Sequence, residues 1–281
     1  MTATIFDIIH TSTVDGPGVR TTVFFKGCSL ACRWCHNPES QHAAPELLFD
    51  RRKCIGCGGC AAVCPSPDAC IACGKCAAVC PTGARELCGK VWTVEALVDE
   101  VARDLPFYTA TGGGVTCSGG ECMLQLDFLR EFLPACRARG IHTAVDTAGC
   151  VPWEAFADIL PNADLFLYDI KCADDALHRA GTGTSNVRIL DNLRRLTAAG
   201  AEVIVRVPVI PGFNDSPAEQ SAIAALLAPL SLRAVELLPY HRMGDHKYTA
   251  LGRPVPDFAV PPDEAVAALR RLYPARLVST V

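Results

Sequence analysis

Eight cysteines between Cys54 and Cys80 form two copies of one pattern. The segment CIGCGGCAAVCP (54–65) recurs as CIACGKCAAVCP (70–81), and each copy has the spacing C-x2-C-x2-C-x3-C-P. The whole chain has 17 cysteines among 281 residues. Disulfides would explain such a count in a small secreted protein, but this chain is long, and its N-terminus lacks the basic and apolar regions of a secretory signal. The repeat therefore predicts metal binding.

Each copy of the repeat matches the cysteine run of two-cluster bacterial ferredoxins, in which the fourth cysteine ligates the cluster of the other copy. A zinc ribbon is the alternative, but zinc sites use four ligands as two pairs, not eight in a doubled pattern. The repeat predicts a ferredoxin-like insert at residues 49–88 with two [4Fe–4S] clusters. The expected ligands are Cys54, Cys57, Cys60 and Cys80 for cluster 2, and Cys64, Cys70, Cys73 and Cys76 for cluster 3.

A separate cysteine motif precedes the repeat. The segment GCSLACRWCHNPES (27–40) places Cys28, Cys32 and Cys35 at the spacing C-x3-C-x2-C. A cubane cluster normally takes four thiolates, so three cysteines would leave one iron open to a small ligand. The amine and carboxylate of an amino acid could chelate that iron. We therefore expect a third [4Fe–4S] cluster here, cluster 1, whose open iron is a substrate site.

Outside the insert, short β-rich runs alternate with helical stretches such as 124–140 and 186–200, each of which ends on a glycine. The β-rich runs show little polar alternation, as expected of strands buried on both faces of a parallel sheet. Six β/α units predict an α/β fold, a partial (β/α)6 barrel formed by residues 1–48 and 89–281; a doubly wound sheet is also compatible with the pattern. The predicted strands are Thr21–Lys26, Gly113–Thr116, His142–Asp146, Leu165–Ile170, Glu202–Val207 and Ala234–Pro239.

Five of the six predicted strands run directly into residues suited to chemistry. Because parallel strands end at a common rim, these residues should meet there. Each has an ordinary alternative when taken alone: a glycine pair is usually a turn, and a rim lysine or histidine is usually solvated or structural. Together, however, these residues indicate a functional site more strongly than any one of them does alone. In strand order it comprises the Cys28–Cys35 motif, Gly119 and Gly120 with Glu121, Asp146 with Thr147, Asp169 with Lys171, and His241.

Composition narrows the class of protein further. A net charge of −4 and a pI near 6.0 leave no broad basic footprint, which argues against nucleic acid as a partner. No stretch reaches ~18 uninterrupted apolar residues, which argues against a membrane span. These features predict a soluble, cytoplasmic protein.

The motifs together resemble the radical S-adenosylmethionine (SAM) enzymes, for which C-x3-C-x2-C is the defining motif. The chain resembles more closely the glycyl-radical-enzyme activating proteins, the family of pyruvate formate-lyase activating enzyme. The insert is similar to that of the subgroup activating glycerol dehydratase, hydroxyphenylacetate decarboxylase and similar lyases. The resemblance covers nearly the whole chain through the segments DGPGVRTTVFFKGC, CRWCHNPES, GGGVTCSGGE, DTAG, LFLYDIK, RVPVIPGFND and ELLPYHRMG.

The resemblance implies that SAM chelates the open iron and that an electron from the reduced cluster cleaves its sulfonium C–S bond. The resulting 5′-deoxyadenosyl radical then takes a hydrogen atom from a backbone glycine of a glycyl radical lyase or dehydratase. A reduced flavodoxin or ferredoxin is the implied electron donor. The implied catalytic residues are Cys28, Cys32, Cys35 and Lys171. The implied SAM-binding residues are Trp34, His36, Gly119, Gly120, Glu121, Asp169, Lys171 and His241, with Asp146 and Thr147 at a monovalent-cation site and Asp15 near the partner peptide.

Two residues depart from the family pattern. Cys117 and Cys122 stand on either side of SGGE, where relatives often have Phe and Pro, and we interpret both as small buried residues. Two other functions remain open: a radical SAM enzyme that acts on another peptide or a small molecule, and a ferredoxin-like electron carrier. The separate three-cysteine motif and the polar strand ends do not suit a carrier. The remaining cysteines, Cys88, Cys136, Cys150 and Cys172, are expected to be structural.

Overall fold

The computed structural model describes residues 1–275 and 277, so the predicted segment 89–281 extends beyond the described residues at 276 and 278–281. Its parallel strands are rich in β-branched and aromatic residues and bury most of their side chains. Ten strands are described: β1 (Thr2–Ser12), β2 (Arg20–Phe25), β3 (Glu46–Phe49), β4 (Arg85–Cys88), β5 (Lys90–Thr93), β6 (Gly114–Gly119), β7 (His142–Thr147), β8 (Leu165–Asp169), β9 (Val203–Val209) and β10 (Ala234–Pro239).

Eight of these strands form one sheet in the order β10-β9-β8-β7-β6-β2-β1-β5. Six neighbouring strands of this sheet are parallel, namely β2, β6, β7, β8, β9 and β10. Strand β1 pairs antiparallel with both β2 and β5. The parallel strands follow one another in chain order, without the reversal that defines a doubly wound sheet. The fold is therefore α/β with a mostly parallel sheet, and the doubly wound alternative is wrong.

Helices connect the parallel strands and bury an apolar face against the sheet. In α5, for example, Phe128, Leu129, Phe132, Leu133 and Cys136 are all buried in the main core. The described α-helices are α1 (Gly59–Ala62), α2 (Lys75–Ala78), α3 (Val94–Ala102), α4 (Leu105–Thr111), α5 (Leu126–Ala138), α6 (Trp153–Ile159), α7 (Asp175–Thr182), α8 (Val187–Ala198), α9 (Pro217–Leu227), α10 (Asp245–Ala250) and α11 (Asp263–Arg270). Within the described residues, no helix has the length and apolar character needed to cross a bilayer.

The cysteine repeat folds as two copies of one backbone. Strands β3 and β4 form a separate two-stranded antiparallel sheet, and the short helices α1 and α2 lie between them in the chain. Gly58 and Gly74 precede the two helices with nearly identical left-handed φ angles of 73° and 74°. The preceding pair, Gly56 and Ala72, also has positive φ in both copies. The repeat in the sequence is thus a repeat in conformation.

Candidate active site

A cavity of about 250 Å³ lies at the carboxyl ends of the parallel strands. Twelve of the thirteen residues assigned above to cluster 1, SAM and the cation site line it, and only Glu121 does not. The prediction that the strand ends meet at one rim therefore holds for the positions of these residues. The lining residues among them are Cys28, Cys32, Trp34, Cys35, His36, Gly119, Gly120, Asp146, Thr147, Asp169, Lys171 and His241.

The loop that carries the three cysteines follows β2 and is held by two distant helices. The amides of Ala31 and Arg33 donate to the carbonyls of Thr182 and Gly181, at the end of α7, at 2.8 and 3.0 Å. On the other side, the Tyr248 hydroxyl of α10 donates to the Cys35 carbonyl at 2.8 Å. These backbone contacts fix the loop and so set the positions of its thiols.

Burial controls the protonation of these thiols. It raises the pKa of Cys28 and of Cys35 to about 12 and also raises the pKa of Cys32. Lys171 acts in the opposite direction on Cys28 and Cys32. Each thiol is therefore protonated at neutral pH unless a metal compensates the charge of the thiolate. Metal binding would displace these protons, so the affinity for metal should depend on pH.

Aromatic side chains enclose the cysteine loop. Trp34 is buried, and its ring centroid lies 4.3 Å from that of Phe213. His36 meets His241 edge to face, with centroids 4.4 Å apart. Burial, with a smaller contribution from His241, lowers the pKa of His36 to about 4, so this imidazole is neutral at pH 7. Neutral His36 can accept as well as donate a hydrogen bond at the cavity wall.

The glycine pair at the end of β6 is required by the packing of the fold. Gly119 has a φ of +115°, and a Cβ there would lie 2.3 Å from the Phe25 amide nitrogen. A Cβ on Gly120 would lie 2.2 Å from the Gly27 carbonyl oxygen. Contact with the end of β2 and the start of the cysteine loop therefore excludes side chains at both positions. The same close approach brings the backbone of both glycines to the cavity.

Glu121 lies behind the cavity wall and is fully buried. Its carboxylate oxygens each accept from the Thr147 hydroxyl at 2.9 Å, and one also accepts from the Ala148 amide at 3.0 Å. Burial raises the pKa of Glu121 to about 7, against the lowering effect of these hydrogen bonds. The carboxylate thus ties β6 to the end of β7 and orients Thr147 at the cavity surface.

The raised pKa of Glu121 predicts a pH-dependent stability. The folded carboxyl holds its proton up to about pH 7, whereas the unfolded one releases it near pH 4.5. The folded state therefore binds more protons in this window, so the free energy of unfolding should fall as pH rises from about 5 to 7. At ~1.4 kcal/mol per pKa unit, the total change in the free energy of unfolding reaches ~3 kcal/mol.

Anaerobic urea unfolding at a series of pH values should show a weaker pH dependence of stability for Glu121→Gln than for the wild type. The exposed Glu264→Gln control on α11 should follow the wild type, and parallel wild-type and Glu121→Gln profiles would contradict the prediction.

Lys171 and Asp169 form an ion pair in the cavity wall. The Lys171 ammonium donates to Asp169 Oδ2 at 2.7 Å, and the lysine is buried. Burial opposes its charge, but Asp169 and the sulfurs of Cys32 and Cys28 together outweigh burial, so the pKa of Lys171 lies above its ordinary value. Asn214 holds the neighbouring backbone by donating to the Lys171 and Pro208 carbonyls at 2.7 and 2.6 Å. The pair places a fixed positive charge at the end of β8.

A buried arginine that the sequence analysis left without a role lies beneath the cavity. Arg206 of β9 donates to the Val14 carbonyl at 2.6 Å and to Glu236 Oε2 at 3.3 Å. Its guanidinium also lies 3.8 Å from an oxygen of Asp146 and 3.9 Å from an oxygen of Asp15. A single charge within the apolar run VIVRVPV was the signal for an interior ion pair. Arg206 joins the Asp15 loop to the cavity.

Asp15 and Asp146 hold different positions around this arginine. Asp15 Oδ2 accepts from the Ser12 and Thr22 hydroxyls at 2.6 and 2.7 Å and does not line the cavity. Asp146 lines the cavity, and its Oδ2 accepts from the Ser118 hydroxyl at 2.6 Å. Burial raises the pKa of Asp146 to about 6, although Arg206 opposes the shift. Asp146 is thus a carboxylate held at the strand ends by one hydroxyl and one cation.

Comparison with known proteins identifies the relatives of this chain. The family model of the radical SAM superfamily matches residues 22–223. The trans-4-hydroxy-L-proline dehydratase activating enzyme of Clostridioides difficile is 41% identical over 298 aligned positions, which cover 100% of this chain and 99% of that protein. The isethionate sulfite-lyase activating enzyme of Nitratidesulfovibrio vulgaris is 43% identical, with 91% of this chain and 89% of that protein covered.

The chain belongs to the radical SAM superfamily, within the family of glycyl-radical-enzyme activating enzymes. The resemblance seen in the sequence is thereby confirmed. Among solved structures, a domain of the pyruvate-formate lyase-activating enzyme of Bacteroides vulgatus has a TM-score of 0.50 at 31% identity, covering 57% of this chain and 92% of that one. A radical SAM methyltransferase of Sphaerobacter thermophilus has a TM-score of 0.60 at 17% identity over 99% of this chain and 76% of that one, which supports the fold alone.

In this activating-enzyme family member, the two cysteine quartets of the repeat border two further cavities. We call the cavity of about 230 Å³ the first insert cavity; Cys54, Cys57, Cys60 and Cys80 line it. We call the cavity of about 260 Å³ the second insert cavity; Cys64, Cys70, Cys73 and Cys76 line it, together with Cys60. Across the described part of the chain, no three Cys, His, Asp or Glu side chains converge on one ion-sized point. The thiols surround spaces larger than a single ion.

The cysteines that depart from the family pattern lie in the core. Cys117 and Cys122 are fully buried, and neither lines the cavity. The Cys122 thiol donates to the Cys117 carbonyl at 3.4 Å, and burial raises the pKa of both thiols well above the ordinary value. Cys88, Cys136 and Cys172 are also buried, and within the described residues no cysteine forms a disulfide.

Proposed function

We propose that this chain activates a partner glycyl radical enzyme by cleaving SAM reductively and abstracting a hydrogen atom from a backbone glycine of that partner. One observation carries the proposal. Three half-buried cysteines and the polar ends of four parallel strands line a single cavity, in a chain about 40% identical to several activating enzymes. SAM has groups for both halves of such a cavity, since its amino acid end can chelate a metal and its adenine ring can stack on aromatic side chains.

The donor set fits an iron–sulfur cluster with one open iron. Cys28, Cys32 and Cys35 supply three thiols, and no fourth cysteine lines the cavity in the described part of the chain. A [4Fe–4S] cluster bound there supplies the electron for C–S cleavage. Lys171 can receive the SAM carboxylate beside that cluster, and Asp169 keeps its ammonium charged and oriented. Neutral His36, with Trp34 packed against Phe213, provides a wall for the nucleoside end.

Asp146 and Thr147 are suited to hold a monovalent cation beside the bound SAM. Both line the cavity, and both are oriented by side chains behind it, Ser118 for Asp146 and Glu121 for Thr147. A carboxylate and a hydroxyl are hard oxygen donors of the kind that alkali and alkaline-earth cations prefer. A cation there would offset the negative charge of Asp146 and of the SAM carboxylate.

A groove at the edge of the sheet offers a route for the partner's glycine segment. This groove, of about 600 Å³, runs between residues 13–18 and strand β10. Leu238 and Pro239 line both the groove and the main cavity, so the two spaces adjoin. Asp15 lies at the base of the groove loop, where Arg206 and two hydroxyls hold it. We therefore place the partner peptide along β10, with Asp15 anchoring the loop beside it.

The insert completes the proposed cofactor content. We assign clusters 2 and 3 to the first and second insert cavities, in accordance with the crossed ligand pattern of the repeat. All irons of these clusters would have cysteine ligands, so neither could bind SAM. Electron delivery from a reduced flavodoxin or ferredoxin, or partner docking, is the role left for the insert. This division assigns the chemistry to the partial barrel and the delivery to the ferredoxin-like unit.

Loss of either proposed SAM contact should weaken SAM binding without loss of iron. Lys171→Met keeps the packing of the lysine stem, and His241→Ala removes the imidazole that meets His36. A lost hydrogen bond to a charged group costs ~1.5–3 kcal/mol, or roughly tenfold to a hundredfold in affinity. Equilibrium binding with iron assays measures this, and Lys90→Ala, an exposed lysine on β5, is the control. Wild-type affinity in both cavity variants would contradict the assigned contacts.

Product analysis tests the proposed function. Reconstituted protein incubated anaerobically with dithionite and SAM should form methionine and 5′-deoxyadenosine. A glycyl radical lyase or dehydratase encoded beside this gene should then gain activity. Cleavage without activation of such a partner would instead favour the second candidate, a radical SAM enzyme acting on another peptide or a small molecule. Absence of cleavage by iron-replete protein would overturn both.

A further inference from the structure

One charged side chain lies between the two insert cavities. Arg85, the first residue of β4, lines both cavities. The only other described residue that lines both is Cys60, which the repeat assigns to cluster 2. Any cofactor in either cavity would therefore have the Arg85 side chain as part of its wall.

The fold holds this guanidinium in place from one side. Arg85 pairs in register with Phe49 of β3, and its guanidinium carbon lies 4.4 Å from the centroid of the Phe49 ring. Stacking on an aromatic face stabilises a guanidinium and limits its rotation. The same group lines both cavities that the cysteines border. Strand pairing therefore fixes the position of the Arg85 side chain, which is not a flexible surface group.

The guanidinium is directed toward sulfur and not toward carboxylate. Its Nε is buried and has no hydrogen-bond acceptor among the described residues. Within the same residues, no Asp or Glu lies within ion-pair distance of Arg85; the groups that interact with its charge are the sulfurs of Cys60, Cys76 and Cys54. These thiols come from both quartets. A buried N–H without an acceptor, on a guanidinium that interacts with these sulfurs, fits a cluster that would accept from it.

We propose that Arg85 raises the reduction potentials of clusters 2 and 3 together. Reduction adds one negative charge to a cluster, and a fixed cation beside both cavities stabilises that charge by Coulomb attraction and by N–H donation to sulfur. The insert would then accept electrons from a weaker donor than an unassisted pair of clusters could. This proposal rests on the proposed assignment of the two clusters and not on the identity of the partner enzyme.

Redox titration of the holoprotein, followed by electron paramagnetic resonance, tests the role of Arg85. Signals that SAM addition leaves unchanged report the insert clusters, because SAM binds at cluster 1. Arg85→Gln, which keeps much of the volume but removes the charge, should shift both insert midpoints to lower potential. Arg85→Lys should retain midpoints closer to the wild type. Arg51→Met is the matched control, since Arg51 also lies over Phe49, at 5.8 Å, but lines neither cavity.

The outcomes separate this proposal from the cluster assignment. Wild-type protein that saturates near four irons would overturn the assignment itself. With full iron content, unchanged midpoints in Arg85→Gln, a shift of only one cluster, or an equal shift in Arg51→Met would overturn the role of Arg85. If Arg85→Gln binds fewer irons, the iron-replete Arg85→Lys variant decides between the outcomes. Insert midpoints near those of the wild type support the proposal, and insert midpoints shifted well below those of the wild type despite the retained charge overturn it.

Discussion

Replacement of Cys28, Cys32 and Cys35 by alanine is expected to abolish reductive cleavage of SAM and to remove about four of about 12 irons. These thiols are the cysteines that line the main cavity, and they lie on a loop separate from both insert quartets. The remaining ~8 irons should stay, because each insert cluster keeps its four proposed cysteines. Iron and sulfide assays, with chromatographic measurement of 5′-deoxyadenosine, check both parts.

Cys136→Ala is the control for this loss. Cys136 is fully buried on α5 and belongs to none of the three proposed ligand sets. It should retain about 12 irons and near wild-type cleavage. Full iron content or remaining cleavage in the triple variant would place the reactive cluster elsewhere. Loss of all irons would mean that the insert does not form its clusters independently of the cavity.

Replacement of Arg206 by alanine is expected to cost ~3–5 kcal/mol in the free energy of unfolding, because it removes a buried cation from three partly buried carboxylates. Glu236, Asp146 and Asp15 would lose this partner, and the Val14 carbonyl would lose its hydrogen bond. Burial already raises the pKa of Asp146 to about 6, and removal of Arg206 should raise it further. Anaerobic urea unfolding measures the loss.

Arg130→Ala provides the matched surface comparison. Arg130 also contacts two carboxylates, Asp127 and Asp158, but all three side chains are substantially exposed. Exposed ion pairs contribute ~0–1 kcal/mol, so this variant should stay within that range. An Arg206→Ala protein within ~1 kcal/mol of the wild type would contradict this role of Arg206, because the three carboxylates would then be compensated by other groups.

The parallel strands could be predicted from the sequence because each is a local apolar run. The predicted Ala234–Pro239 is identical to β10, and the predicted Gly113–Thr116 ends three residues before β6 does. The missing residues, Cys117 to Gly119, are strand because they pair with Val23 to Phe25 of β2, a contact that no local pattern reveals. The antiparallel strands β1 and β5 were missed because many of their side chains are exposed and lack the buried-strand pattern.

The site was predictable where position along a strand decides the outcome. Residues that follow parallel strands share a rim whatever the details of packing, and so twelve assigned residues meet at one cavity. The direction of a side chain depends on distant segments and was not predictable. Glu121 points to Thr147 behind the cavity wall. Arg206 interacts with Asp15, Asp146 and Glu236, which come from three other parts of the chain.

The most direct test of the account is electron paramagnetic resonance of a partner lyase after anaerobic incubation with this protein, SAM and reductant. Iron-replete wild-type protein should produce a glycyl radical signal on the partner, with 5′-deoxyadenosine formed in step with it. The Cys28, Cys32 and Cys35 variant, which keeps the insert, should produce none. A radical formed equally by that variant, or 5′-deoxyadenosine without a glycyl radical on any neighbouring lyase or dehydratase, would contradict the proposed activation.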